Sequence, residues 1–92
     1  MVMPPKSKDA YQGYSDEVLL QLVNGKDLWA YEILYERHAQ SLYSLLIRIV
    51  REPTTAEELL QETFWQIWQK SEQYSEKGSV AAWLHRIARN KG

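Results

Sequence analysis

The chain has 92 residues, a formal net charge of −1, 45% hydrophobic residues and no cysteine. This length suits one domain, and the hydrophobic content is typical of a chain with a folded core. The lack of cysteine excludes a disulfide scaffold, a thiolate metal site and a thiol nucleophile. Because the apolar runs are only a few residues long, we expect no membrane span, no secretory signal and a cytoplasmic location.

Charge is distributed unevenly along the chain. Residues 1–51 are neutral overall, residues 52–76 carry six glutamates against one lysine, and residues 77–92 carry four cations and no acid. An acidic segment followed by a basic one indicates two partners of opposite charge. Two solvated helix faces would have the same composition, so composition alone leaves both interpretations open.

The first part of the chain is predicted to contain a leader and a short helix. Residues 1–14 include two prolines and show no hydrophobic period, so we expect a flexible leader and place the domain at residues 15–92. Ser15 is the predicted N-cap of the first helix, and Gly25 suits the C′ position just after its end, where a left-handed conformation is common.

A long second helix is predicted next. Asp27 is its expected N-cap, and the pattern runs to about Arg51 before Pro53 stops it. Its apolar positions recur every three or four residues, as one buried face requires. They include Ala30, Ile33, Leu34, Leu42, Leu45 and Leu46.

The third helix has the clearest pattern. Thr54 and Glu57 have the spacing of a capping box, in which a hydroxyl precedes a glutamate by three residues. One face is apolar, and the opposite face combines acidic and amide side chains with one tryptophan, as docking surfaces do. An amphipathic tryptophan packed flat on the domain is the alternative. The apolar face contains Ala56, Leu59, Leu60, Thr63, Phe64, Ile67 and Trp68, and the polar face contains Glu58, Gln61, Glu62 and Trp65.

A polar loop at residues 72–78 leads to a fourth helix, for which Ser79 is the expected N-cap. Its outer faces combine cations with an asparagine, which is typical of a surface that grips DNA phosphates. Trp83 shares the apolar stripe with Ile87, so we expect it to be at least half buried. The fold class is therefore all-α, a compact bundle of three long helices and one short helix. Its predicted core contains Leu34, Leu45, Leu46, Leu60, Phe64, Ile67, Trp83 and Ile87.

Catalysis has little support in the sequence. His38 and His85 are far apart and lack the spacing of metal ligands, so we expect neither a metal nor a cofactor. The chain has no glycine-rich phosphate loop and no serine in a nucleophile-elbow context. We therefore do not expect an enzyme.

Two segments carry a resemblance to a known family. Residues 56–64 (AEELLQETF) with Trp68, followed by residues 82–90 (AWLHRIARN), resemble region 2 of the bacterial sigma factors. The extracytoplasmic-function group of the sigma-seventy family is the most similar, and the likeness extends over about residues 15–91. The resemblance implies an initiation factor domain that docks on core RNA polymerase and recognises and helps to melt the promoter minus-ten element.

The resemblance also assigns residues and partners. The third helix would dock on the clamp helices of the largest catalytic polymerase subunit, and the last loop and helix would hold the non-template strand of the minus-ten element. An anti-sigma factor covering the docking face is a further partner that the family allows. The implied polymerase-binding residues are Glu58, Gln61, Glu62 and Trp65, and the implied DNA-binding residues are Ser75, Glu76, Lys77, Gly78, Ser79, Arg86, Arg89 and Asn90.

Two departures from the family matter. Trp83 is surrounded by aliphatic residues, whereas housekeeping sigma factors have several melting aromatics here, so we expect a narrow choice of promoters. The family also has a second, C-terminal promoter-reading domain, which is absent from residues 15–92, so we expect a fragment of a longer factor. The alternative is a helical protein-interaction module without a DNA role, which would use the face of Glu58, Glu62 and Trp65 alone and would not need the cationic segment from Lys77 to Lys91.

Overall fold

Four α-helices dominate the computed structural model, which describes residues 7–74 and 79–92. The helices are α1 (Asp16–Asn24), α2 (Leu28–Val50), α3 (Pro53–Lys70) and α4 (Val80–Lys91), and 3-10 helices form at Lys8–Gly13 and Ser71–Gln73. The described residues contain no strand, so the prediction of an all-α bundle with one short helix is confirmed. No helix in this part of the chain is long and apolar enough to cross a membrane.

Three of the predicted N-caps are confirmed. The Ser15 hydroxyl accepts a hydrogen bond from the Val18 amide at 3.2 Å, and Asp27 Oδ1 accepts one from the Ala30 amide at 3.2 Å. At α4, the Ser79 hydroxyl accepts from the Ala82 amide at 3.0 Å. Each side chain satisfies an amide that the first helical turn leaves without a partner, which fixes where the helix begins.

The predicted capping box of α3 is wrong. Pro53 is the first residue of the helix, and the carboxylate of Glu52 accepts hydrogen bonds from the amides of Thr54 and Thr55 at 3.0 and 2.7 Å. These bonds, together with one from the Thr55 hydroxyl, hold the pKa of Glu52 below its usual range. Proline at the first helical position needs no amide partner, so the cap moves to the residue before it.

The turn between α1 and α2 also differs from the prediction. Gly25 has a φ of −84°, and the left-handed conformation belongs to Lys26, with a φ of 66°. The Lys26 ammonium donates to the Trp68 carbonyl at 2.5 Å and lies 5.2 Å from the centre of the Trp68 ring. A cation at the last turn of α3 offsets the negative end of the helix dipole, so this contact ties the turn to α3.

Helix α2 lies at the centre and packs against α1, α3 and α4. The apolar faces of the other three helices pack against it. Six of the eight predicted core residues are buried. Leu45 and Trp83 are only partly buried and pack against this core from its edge. The six buried residues are Leu34, Leu46, Leu60, Phe64, Ile67 and Ile87.

The described part of the expected leader packs on the domain. Tyr11, in the first 3-10 helix, is 1% exposed, and its hydroxyl donates to Asp27 Oδ2 at 2.5 Å. Arg37 donates to the Gln12 carbonyl at 2.8 Å, and the Lys8 ammonium lies within 3.3 Å of carboxylates on α2. One buried aromatic ring therefore anchors residues 7–14, where the sequence indicated a loose chain.

Candidate functional site

The outward face of α3 carries the four side chains assigned to polymerase binding. Glu58, Gln61, Glu62 and Trp65 are all exposed, and Trp65 is 57% exposed. The opposite face of the helix contributes buried residues such as Phe64 and Ile67 to the core. A tryptophan this exposed contributes little to folding, so its ring is available to a partner.

Two tyrosines from α2 extend this face into a groove. Tyr31 and Tyr35 line an open groove of about 540 Å³ together with Phe64 and the four α3 residues. Tyr35 is 40% exposed, whereas Tyr31 is half-buried, and burial raises the pKa of its phenol. We call this set of residues the docking groove. Sequence reasoning missed the tyrosines, although their spacing of four residues places both on one helix face.

The docking groove is acidic and aromatic. Glu58 and Glu62 form no ion pair with any described residue. The Tyr31 ring meets Phe64 edge to face with a centroid distance of 6.1 Å, and the Tyr35 ring is tilted against Phe64 with a centroid distance of 4.8 Å. Unpaired carboxylates beside exposed rings suit a partner surface that combines cations with apolar side chains.

A second, basic surface lies on α4. Arg86, Arg89 and Asn90 are exposed on the face of the helix opposite its buried residues. Neither arginine is paired with an acid among the described residues. Guanidinium groups without a protein partner are suited to bind phosphates.

The loop before α4 is described only at its two ends. Ser75, Glu76, Lys77 and Gly78, which were assigned to DNA binding, lie outside the described residues. Ser79 is described, and its hydroxyl is already engaged as the N-cap of α4. The structure therefore gives Ser79 a role in helix formation, and its assigned DNA contact stays a prediction.

The aromatic residues next to this loop pack against each other. Tyr74 and Trp83 meet edge to face with a centroid distance of 5.5 Å, and both are half-buried. This contact joins the end of the loop to α4. The half-burial of Trp83 agrees with the expectation that this side chain is at least half buried.

Both histidines have hydrogen-bond partners within the domain. His38 Nε2 lies 2.9 Å from Asp16 Oδ2, and the same carboxylate binds Arg37 at 3.0 Å. His85 Nδ1 lies 2.7 Å from the Ala81 carbonyl oxygen, and its Nε2 lies 2.8 Å from Ser41 Oγ. The part of the chain that the structure describes has no cluster of three or more potential metal ligands.

Comparison with known proteins assigns the family. The sequence model of Sigma-70 region 2 matches residues 34–91, which include most of α2 and all of α3 and α4. The chain belongs to the Sigma-70 region 2 family. Both candidate surfaces lie within the matched segment, apart from Tyr31 in the docking groove.

Curated relatives agree with the expected group within this family. The chain is 34% identical over 76 residues to the ECF RNA polymerase sigma factor SigK of Mycobacterium sp. (strain KMS), covering 82% of this chain and 39% of the relative. It is 32% identical over 76 residues to the protein of the same name from Mycobacterium tuberculosis (strain ATCC 25618 / H37Rv), covering 82% and 41%. The chain thus spans about 40% of the length of these relatives. No solved structure matches it significantly.

Proposed function

We propose that this region 2 domain connects core RNA polymerase to promoter DNA during transcription initiation. In this proposal the docking groove binds the clamp helices of the largest catalytic subunit. The loop before α4, with α4 itself, recognises and helps to open the minus-ten element. Such a role requires access to polymerase and chromosome, so we place the protein in the bacterial cytoplasm.

The observation that carries the proposal is the separation of two unpaired charged surfaces on one small bundle. The acidic docking groove has an exposed tryptophan at its edge, and exposed aromatic residues often dominate the binding energy of an interface. A basic surface lies on a different helix, α4. A purely structural bundle would have no need for either surface.

The promoter contacts follow the resemblance to the family, and the chemistry of the side chains gives each a role. Arg86 and Arg89 bind backbone phosphates, which supply affinity without sequence preference. Asn90 offers an amide that can donate to and accept from a base edge. The remaining proposed contacts hold a flipped non-template base, and they are Ser75, Glu76, Lys77, Gly78 and Ser79.

Polymerase binding tests the docking half of the proposal. Reversing the charge of Glu62 and truncating Trp65, as Glu62→Lys with Trp65→Ala, should weaken capture of core RNA polymerase. The loss expected for an interface tryptophan is about 2 kcal/mol or more, roughly 30-fold in affinity. Helicity and melting temperature should be unchanged, because neither side chain is buried.

Glu72→Lys is the matched control, since it reverses an exposed acid on the 3-10 helix after α3 that has no ion-pair partner among the described residues. This variant should bind polymerase like the unmutated chain. Equal binding by all three proteins would remove the docking groove from the proposal. Polymerase binding without any DNA affinity would instead support the alternative of a protein-interaction module. Loss of polymerase binding when an anti-sigma factor is added would identify that inhibitor as a competitor for the same groove.

A further inference from the structure

Helices α2 and α4 run side by side in the same direction. His85 Nε2 lies 2.8 Å from Ser41 Oγ, which brings the middle of α4 against α2. At the end of α4, a Cβ atom on Gly92 would lie 3.2 Å from Ile49 Cγ2 and 3.5 Å from Leu46 Cδ2. Later residues of α4 therefore meet later residues of α2, so the two helices are parallel.

This alignment brings arginines of both helices to one seam. The seam is the line along which α2 and α4 meet, marked by Ser41 on α2 and His85 on α4. Arg48 is seven residues after Ser41 and therefore lies on the same face of α2. Arg89 is four residues after His85 and lies on the same face of α4. At 1.5 Å per residue, Arg48 lies about 10 Å and Arg89 about 6 Å beyond the His85 contact.

Arg51 and Arg86 extend the cationic surface that Arg48 and Arg89 form, one on each helix. Arg51 follows Arg48 at the end of α2, where it has a left-handed φ of 56°. Arg86 lies one helical turn before Arg89 on the outer face of α4. We call Arg48, Arg51, Arg86 and Arg89 the basic ridge.

The charges of the basic ridge are not neutralised by the fold. All four side chains are exposed, and none forms an ion pair with a residue in the described ranges 7–74 and 79–92. Arg48 Nε donates to the Ser44 carbonyl at 3.2 Å, which leaves the rest of its guanidinium available. Glu52, the nearest acid along the chain, is occupied by the amides at the start of α3. Four exposed cations on the two aligned helices thus have no acidic partner among the described residues.

We propose that the basic ridge binds the phosphate backbone of double-stranded DNA, with α2 supplying Arg48 and Arg51 as contacts beyond those of α4. The inference rests on the proposed function, because it assumes that α4 faces DNA. Single strands are usually held by stacking their bases on exposed aromatic rings, and none of the exposed aromatic rings among the described residues lies on α4 or in the C-terminal half of α2. Arginines fixed on two aligned helices instead match a regular row of phosphates, which carries no sequence information.

The test compares charge-neutral variants by their salt dependence. A fluorescent duplex is titrated with the unmutated chain, with Arg48→Gln/Arg51→Gln, and with Arg86→Gln/Arg89→Gln. Each phosphate contact contributes about 0.9 to the log–log slope, so four contacts predict an affinity loss of about 150-fold between roughly 50 and 200 mM salt. The α2 variant should lose only about 12-fold over that range, equally for promoter and scrambled duplexes.

Lys70→Gln is the matched control, because Lys70 is exposed and has no acidic partner among the described residues, yet lies at the end of α3. Its slope should equal that of the unmutated chain. The inference is overturned if the α2 variant keeps the full slope while the α4 variant loses it, and the proposed function then stands. If neither variant nor the unmutated chain shows salt-dependent DNA binding, the DNA half of the proposed function fails as well. Tighter binding to a single-stranded RNA of equal length would also overturn the assignment to duplex DNA.

Discussion

Phe64 is the side chain on which the packing of α3 against α2 depends most. It is 1% exposed and contacts the rings of Tyr31 and Tyr35, with centroid distances of 6.1 and 4.8 Å. Truncation of a buried phenylalanine to alanine costs about 3–5 kcal/mol, because the removed ring leaves a cavity and takes its ring contacts with it. Small domains have a total stability of about 5 kcal/mol or somewhat more, so Phe64→Ala should be close to unfolded at room temperature.

Urea unfolding followed by far-UV circular dichroism measures this loss, and thermal melting should fall by about 12–40 °C, at roughly 4–8 °C per kcal/mol. Trp65→Ala is the adjacent control, because its 57% exposed ring adds little to folding and its stability should stay within about 0.5 kcal/mol. If both variants melt alike, the helical phase assigned to α3 is wrong, and with it the location of the docking groove.

Two further predictions concern contacts that hold other elements in place. Tyr11→Phe removes the hydrogen bond to Asp27, which should cost about 1.5–3 kcal/mol at neutral pH. Burial and this bond raise the pKa of Tyr11 to about 12. The raised pKa favours the neutral phenol of the folded state. The difference in the free energy of unfolding between the unmutated chain and Tyr11→Phe is therefore complete below about pH 10 and declines as pH rises toward 12. Urea titrations at several pH values measure this difference. Ser79→Ala removes the N-cap of α4 and should cost about 1 kcal/mol in the same assay; an unchanged midpoint would mean that the cap is dispensable.

The sequence predicts those features of the fold that depend on neighbouring residues. The N-caps at Ser15, Asp27 and Ser79 and the two faces of α3 follow from side chains three or four positions apart. The cap at Glu52 was missed because Pro53 also fits as the residue that stops α2, although a proline suits the first position of a helix, and the competing capping-box pattern lay only two residues further on. Tyr11 was missed because one buried ring in a short 3-10 helix has no period to detect.

The two surfaces could be predicted only in part, because each combines residues that are distant in the sequence. Glu62 and Trp65 are recognisable from the pattern of α3, but Tyr35 joins them only once α2 packs against α3. Arg89 is likewise visible on α4, whereas the proposed addition of Arg48 depends on the alignment of the two helices at the contact between Ser41 and His85. Tertiary packing therefore extends each predicted surface onto α2.

The central claim is that one domain joins core RNA polymerase to the minus-ten element. It is tested most directly by the fluorescence anisotropy of a labelled non-template strand in the presence of core polymerase, with and without the chain. The account predicts that adding the chain increases binding of the minus-ten strand and leaves a scrambled strand of the same length nearly unchanged. Equal binding of both strands, or no gain when the chain is added, would contradict it.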